Sequence, residues 1–514
     1  MRRVGLDLGV KAPHTAVLVE AGRLVSRPWS VAHDQEGFES MLARALDGHE
    51  GPIEFVLEPT GNIWQIPAAW LVDRGQQVLL ATGQKVSDLR KVLRRHTKTD
   101  VMDGLAAARV PDLDPYGSSP WSPPDADRAS LLRLARQRDY RVKTVTKSKL
   151  RINNLLELVQ PYLASALGGQ LLGPAGRTFL RELLDPFQVR ALGKSGLEQF
   201  FASKPGRKIT SNRLEKLWDA CEKACEFYGE LQQHKALPFS YEVVQEELNL
   251  DLDLMEHVEQ QIEMLTAKMD ALYSQIDPDR ALEQLPGVGS LTAAILEALV
   301  GEVDRFRSAS AFVSFCGLVP RKADSATRKK KGLPITKTGN KLLKTSLFLA
   351  AKVAYRRDLE FARAEQRYSE AGKHFNVRMV ALANKLARRV YSLLRRRNAM
   401  QKAQYEFRDG EGKAITKQEA RRRILEDFPS KRERAQRAAA EKTKSGASGP
   451  GCSGQSKDSA SRDSRGSHSM APHPTDLRTA LNELLQSWEQ VVHKQRTSRQ
   501  EKSATSPRSR VDST

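Results

Sequence analysis

An aspartate stands inside the first apolar run of the chain. The run is VGLDLGV (4–10), and Asp7 lies in it between Gly5 and Gly9. A strand built from these residues puts a carboxylate beside a core, and burying an unpaired charge is costly. Asp7 therefore needs a cation or a set of donors. Further acids follow at Glu58, after the run IEFVL, and at Asp100 and Asp103 in KTDVMDGLAAA. The last two are three residues apart and share a helix face. Singly, each could be an ordinary surface acid among the chain's 62. Their meaning depends on whether the fold brings them together.

The pattern of runs predicts that it does. VGLDLGV, TAVLVEAG and GRLVSRPWSV read as strand, turn, strand, turn, strand. EGFESMLARALDG reads as a helix stopping at Gly48, IEFVLEPTGN as a strand, and IWQIPAAWLVDRG as a helix kinked by Pro67. QVLLAT is another strand, and 84–110 a helix with a basic start. The order βββ-α-β-α-β-α is that of a ribonuclease H-like fold. There the strands carrying Asp7 and Glu58 are neighbours and the last helix crosses them, so the four carboxylates would converge. Like charges in one site need a cation. All-oxygen ligands suit Mg²⁺ or Mn²⁺, and two such ions can stabilise both oxygens of a phosphoryl transfer.

The rest of the chain divides by composition. Residues 1–110 form the α/β domain, 111–125 a Pro- and Gly-rich linker or pinned loop, and 126–280 a helical region. That region begins with a basic-faced helix (126–165) and ends with an acidic amphipathic one (241–277), an antiparallel hairpin or an intermolecular coiled coil. Residues 166–240 are mostly helical, without an assignable role. Residues 281–405 form a mainly helical domain opening with a helix-hairpin-helix-like unit, and 406–514 a basic, largely disordered extension with one short helix. With 40% hydrophobic residues the chain has enough for real cores. No apolar run reaches ~18 residues, which excludes a membrane span. Four cysteines are too few for a disulfide scaffold and fit a reducing cytoplasm. Cys221 and Cys225 lack a second ligand pair and read as core residues, not zinc ligands.

Charge is divided just as sharply. The net +21 is −3 over residues 1–290 and +24 over 291–514. An excess of that size points to a polyanion, most simply nucleic acid. Candidate phosphate contacts are Arg94, Arg95 and Lys98 early on, with His96 among them. Later come Gly287 and Gly289 in LPGVGSLTAAIL, where backbone amides could meet phosphate at a helix start. The loop GLVPRKADSATRKKKGLPITKTGNKLLK adds Arg321, Lys322, Arg328, Lys329, Lys330, Lys331, Lys337 and Asn340 around Ser325. From the residues alone Ser325 reads as an incidental serine of a solvated basic loop rather than a nucleophile, since no histidine base is near it in sequence.

Taken in order, these stretches resemble a known family: the DEDD transposases or recombinases of bacterial insertion sequences of the IS-one-ten type, the bridge-RNA-guided recombinases. The amino-terminal resemblance, to a Holliday-junction resolvase (RuvC-like) domain, rests on GLDLGV, LEPTGN and KTDVMDGLAAA. The carboxy-terminal resemblance rests on LPGVGSLTAAIL, DRFRSASAFVSFCGLVPR, Ser325 and ITKTGNKLLK. The family usually shows Ser-Gly where this chain has Ser325-Ala326. The resemblance implies that Asp7, Glu58, Asp100 and Asp103 hold divalent metal, and that Ser325 attacks DNA to form a 5′-phosphoserine. It further implies donor and target DNA chosen by a structured non-coding bridge RNA. A homotetramer, a dimer of dimers, would make each site from the acidic domain of one subunit and the serine domain of another. The setting implied is bacterial, cytoplasmic and nucleoid-associated. Two rival readings stand beside it: a metal-dependent Holliday-junction-resolvase-like endonuclease using water, and a non-catalytic nucleic-acid-binding protein.

Overall fold

The strand bearing Asp7 lies inside a mixed sheet. In the computed structural model the described residues are 1–93, 99–114, 117–204, 209–321, 324–325, 328–329, 333–336, 338–399 and 404–428. The first elements are β1 (Arg2–Asp7), β2 (His14–Glu20), β3 (Arg23–Leu24), β4 (Trp29–Val31), α1 (Gln35–Leu46) and β5 (Glu54–Leu57). Then follow α2 (Gln65–Asp73), β6 (Gln77–Ala81), α3 (Gly83–Leu93), α4 (Asp100–Leu113) and β7 (Ser118–Trp121). Among the described residues the sheet order is β3-β2-β1-β5-β6-β7, with β4 pairing a second length of β2. β1 is antiparallel to β2 and parallel to β5; β6 is parallel to β5 and antiparallel to β7.

Alternation sorts the side chains onto two faces. Val4, Leu6, Phe55 and Leu57 share a core with Phe38, Met41 and Leu71 of α1 and α2. Val56 and Ala81 pack on the opposite side with Val86 of α3 and Ala106, Ala107 and Val110 of α4. Small residues bring α4 unusually close to the sheet. A Cβ added to Gly5 would stand 1.9 Å from the Gly104 carbonyl oxygen, and one added to Gly104 would stand 2.9 Å from Val17. Only glycine fits at this crossing.

Two expectations change here, and a third is narrowed. Pro67 sits in the first turn of α2, where its missing N–H costs nothing, so it does not kink the helix. The single helix expected over 84–110 is two, α3 and α4. The stretch at 111–125, read as a linker or a pinned loop, is tied into the fold: α4 runs to Leu113, and Ser118–Trp121 pairs the edge of β6.

The middle begins with α5 (Ala126–Val159) and continues through α6 (Leu163–Leu167), α7 (Pro174–Glu182), α8 (Pro186–Ala202), α9 (Ser211–Gln233) and α10 (Tyr241–Ile276). α5 and α10 lie antiparallel within the chain. Arg138 donates to Thr266 at 2.8 Å, and further on Arg151 pairs with Glu247 and Asp251, each at 2.8 Å. One length of this pair forms a core with α7 to α9, around Ile152, Leu156, Phe179, Leu217, Leu248 and Leu252. Residues 166–240, unassigned from sequence, thus cover one end of the hairpin.

The other end of the hairpin belongs to the next core. Leu131, Met269 and Tyr273 pack with α11 (Ser290–Val300) and α12 (Ala309–Phe315). After the short strands β8 (Asp324–Ser325) and β9 (Arg328–Lys329), α13 (Lys341–Ala354), α14 (Leu359–Glu370) and α15 (Phe375–Asn398) join the same core. A buried ionic cluster ties it together. Arg397 meets Glu297 through two N–H···O bonds of 3.0 Å and approaches Asp277 at 3.4 Å, while Arg128 reaches Glu297 at 3.3 Å. Glu297 and Asp277 are almost wholly buried, so these guanidiniums are obligatory partners.

The stretch from 406, expected to be largely disordered, begins folded. β10 (Phe407–Arg408) and β11 (Ala414–Ile415) form a hairpin, and Ile424 of α16 (Lys417–Asp427) packs with Leu359 and Ala362 of α14. The short helix expected at 475–495 lies outside the described residues.

Candidate active site

Strand register places the first two acids. Leu6 and Leu57 form the last rung of the β1–β5 ladder. Asp7 is the last residue of β1, and Glu58 follows directly on the end of β5. Both continue the alternation of Gly5 and Val56, so both belong to the face covered by α4. They stand at the carboxyl ends of parallel neighbours, where open α/β sheets form their binding crevices.

Two helices bring the remaining residues. α3 starts against Glu58: a Cβ on Gly83 would lie 2.5 Å from Glu58 Oε1. The Gly5–Gly104 crossing fixes α4 on the face of Asp7, and Asp100 and Asp103 lie in its first turn. Thr99 caps that turn, its hydroxyl accepting from the Met102 N–H at 3.3 Å. Acids in a first turn are favoured by the helix dipole. Asp100 is exposed. Asp103 is largely buried and pairs with Arg90 of α3 at 3.2 Å. Arg90 is the residue that sequence reading missed, because its role depends on how α3 and α4 pack.

The donor set is all carboxylate, the ligand type of hard divalent cations. Among the described residues, however, no three His, Cys, Asp or Glu side chains stand close enough together to hold a metal ion. Asp103 already has a guanidinium as its counter-ion.

Ser325 stands elsewhere in the sequence, on a ribbon with a pinned base. Gly317 and Gly339 have φ of +71° and +91°. A Cβ on Gly339 would lie 2.6 Å from Gly317 Cα. Above this pinch, Arg321 N–H donates to Pro334 O and Thr336 N–H to Val319 O, both at 3.0 Å. Farther out Asp324 pairs with Lys329 and Ser325 with Arg328. Ser325 is therefore a paired residue of this ribbon, facing Arg328 across it.

The candidate nucleic-acid contacts are placed unevenly. Arg321 is exposed at the ribbon. Arg328 and Lys329 form β9. Asn340 caps α13, its side-chain oxygen accepting from Leu343 N–H at 3.0 Å. Gly287, φ +79°, packs on α13, where a Cβ would meet Ala350 O at 2.2 Å, so its glycine is explained by packing. Gly289 is exposed and caps α11. In that helix's first turn Ser290 donates to Asp270, which also holds Arg280. These two bonds keep the Asp270 carboxyl below the usual range. The element before the hinge is a 3-10 turn (Ala281–Gln284), not the α-helix of a full helix-hairpin-helix. Arg94, Arg95, His96, Lys98, Lys322, Lys330, Lys331 and Lys337 lie outside the described residues.

The structure adds one basic feature. Arg363, Arg367, Arg389 and Arg408 line a cleft of about 790 Å³ beside the β10–β11 hairpin. Arg389 is paired with Glu360, which also holds Lys385. Their spacing on α14 and α15 carried no signal without the packing of the hairpin.

An α/β sheet with acids at its strand ends and a helical body with a basic ribbon suggest an enzyme built in two parts, and comparison with known proteins supplies the class. A family model of the IS110 DEDD transposases, described as "Transposase", matches residues 4–161, and one described as "Transposase IS116/IS110/IS902 family" matches 279–368. The IS110 insertion-element 43.6 kDa protein of Streptomyces coelicolor is 24% identical over 397 residues, 76% of this chain and 93% of its own. The transposase of insertion sequence element IS1111A of Coxiella burnetii is 35% identical over 118 residues, 22% of this chain and 32% of its own. The pilin gene-inverting protein of Moraxella bovis is 20% identical over 381 residues, 73% of this chain and 90% of its own. The class is that of transposases and recombinases, enzymes acting on DNA. Within it, the chain belongs to the IS110-type DEDD transposases.

Proposed function

We propose that the chain is an RNA-guided transposase and site-specific recombinase of an insertion sequence, with a RuvC-like, ribonuclease H-like acidic domain and a serine nucleophile. The observation that supports the reading is that Asp7 and Glu58 stand at the carboxyl ends of the adjacent parallel strands β1 and β5, on the face crossed by the helix that bears Asp100 and Asp103. The strand order β3-β2-β1-β5-β6 supports the fold assignment.

Asp7, Glu58, Asp100 and Asp103 would hold divalent cation, Mg²⁺ or Mn²⁺. Bound there, it would polarise the phosphate oxygens and neutralise charge that builds up during transfer. Ser325 Oγ attacks the scissile phosphorus; the P–O3′ bond breaks, and the departing 3′ oxygen takes up a proton. A 5′-phosphoserine links protein and DNA. Rejoining reverses this: a 3′ hydroxyl attacks the phosphorus and the serine leaves with a proton. Arg321, Arg328 and Lys329 on the ribbon suit the phosphates beside the serine.

Donor and target DNA are the substrates, and a structured bridge RNA supplies the sequence choice. The +24 over residues 291–514 supports large polyanion surfaces. Self-association, ending in a tetramer, is supported by α10: it buries one stripe against α5 but exposes Val243, Leu250, Leu254 and Met264 on other positions. Among the described residues no helix is long and apolar enough to cross a membrane, and the proposed place of action is the bacterial cytoplasm, at the nucleoid.

Strand cleavage by single variants tests the reading. Asp7→Asn and Ser325→Ala should each abolish cutting while leaving DNA binding within a few-fold. Cutting by Ser325→Ala would favour the resolvase-like endonuclease that uses water. Unchanged cutting by Asp7→Asn would remove the acidic centre from the mechanism.

A further inference from the structure

Arg90 has no place in the reading above, yet it sits in the acidic centre. It lies on α3, the helix whose first residue abuts Glu58. Seven residues separate Gly83 from Arg90, or about 10 Å of helix. Helical side chains lean toward the amino terminus, so the Arg90 guanidinium reaches back along α3 toward the Glu58 end. Its Nε meets Asp103 at 3.2 Å, with both side chains only 16% exposed. Its Nη1 is buried and has no hydrogen-bond partner among the described residues. A buried N–H left unpaired is costly, and a guanidinium offers five donors in a planar fork suited to carboxylate or phosphate.

Two facts then conflict. Two carboxylates set side by side by strand register, with two more in the first turn of the helix packed on that face, would call for a divalent cation, but no three of the described acids are gathered for one. Arg90 resolves the conflict, because it supplies one positive charge where the acids repel one another. A divalent cation at Asp103 would compete with that charge and be repelled by it.

We propose that Arg90 is an exchangeable counter-ion: it neutralises Asp103 in the metal-free protein, releases it to the divalent cation, and then binds a non-bridging oxygen of the DNA phosphate with the freed fork. The proposal rests on the four acids being a metal site. It assigns Arg90 a contact with substrate that the metal-free arrangement conceals.

The test uses the full chain without DNA, with Mn²⁺ binding read by electron paramagnetic resonance. Arg90→Gln should bind Mn²⁺ about tenfold tighter or more, because a competing cation is gone. Arg90→Lys, which keeps the charge, should bind within a few-fold of wild type. Metal-free Arg90→Gln should melt at a lower temperature than wild type, with the gap closing at saturating Mn²⁺. Once loaded with Mn²⁺, Arg90→Gln should cut DNA at least about tenfold more slowly than wild type. Equal or weaker Mn²⁺ binding by Arg90→Gln would overturn the exchange, and wild-type cutting by the loaded variant would overturn the phosphate contact. If wild type and Asp103→Asn bind no Mn²⁺ alike, it is the metal-site reading that fails.

Discussion

At the residue scale the decisive positions are glycines and buried polar groups. Gly5 lets α4 rest on β1, and a methyl group there would collide with backbone, which cannot rotate away. Gly5→Ala should destabilise the fold by about 1–3 kcal/mol, the usual cost of overpacking, and lower cutting because Asp100 and Asp103 move with α4. Denaturant melts and a cleavage assay check both. Burial pushes the Cys221 and Cys316 thiols up to about 12 and Cys225 up to about 11. At pH 7.5 all three should react with a thiol reagent far more slowly than in denaturant; rapid labelling of the native protein would contradict their burial. Asp358 gives a pH signature. Burial raises its pKa, against bonds accepted from Tyr405 Oη and Phe361 N–H. A raised folded value means stability is greatest below the unfolded pKa and falls as pH rises through the folded one. Asp358→Asn should therefore gain stability relative to wild type between pH 4 and pH 8, measured by paired melts. Of this residue-scale detail, Asp7 and Glu58 were legible because strand periodicity carries them. Arg90 was not, since an arginine on a basic helix looks like any solvated charge until the opposite helix is known.

At the scale of elements, hydrophobic period and turn chemistry revealed most of the first sheet. They failed where tertiary packing decides. Residues 118–121 hold two serines and a proline and have no strand pattern; they pair only because β6 offers an edge. The residues Gly287 to Gly289 suggested DNA contact, but Gly287 answers to the backbone of α13. The α5–α10 pair looked equally able to join one chain or two, and Arg138–Thr266 and Arg151–Glu247 show the intrachain pairing. The ionic cluster at the far end of that pair yields a prediction. Arg397→Met leaves Glu297 and Asp277 buried with less compensation and should cost about 3–5 kcal/mol, read as a lower denaturant midpoint. A loss below ~1 kcal/mol would show that the cluster is solvated.

For the whole molecule, the separation of charge in the sequence becomes a separation of chemistry. The near-neutral part holds the carboxylates, and the basic part holds Ser325 on a pinned ribbon. If sites are shared between subunits of the proposed tetramer, mixing inactive Asp7→Asn with inactive Ser325→Ala should restore part of the cutting. No recovery would place both halves of a site in one chain. The proposed mechanism turns on which atom attacks the DNA. Wild-type protein trapped with a cleaved donor strand, digested and sequenced by mass spectrometry, should carry a 5′-phosphorylated nucleotide on Ser325. Cutting with no adduct, or an adduct on any other residue, would contradict the account.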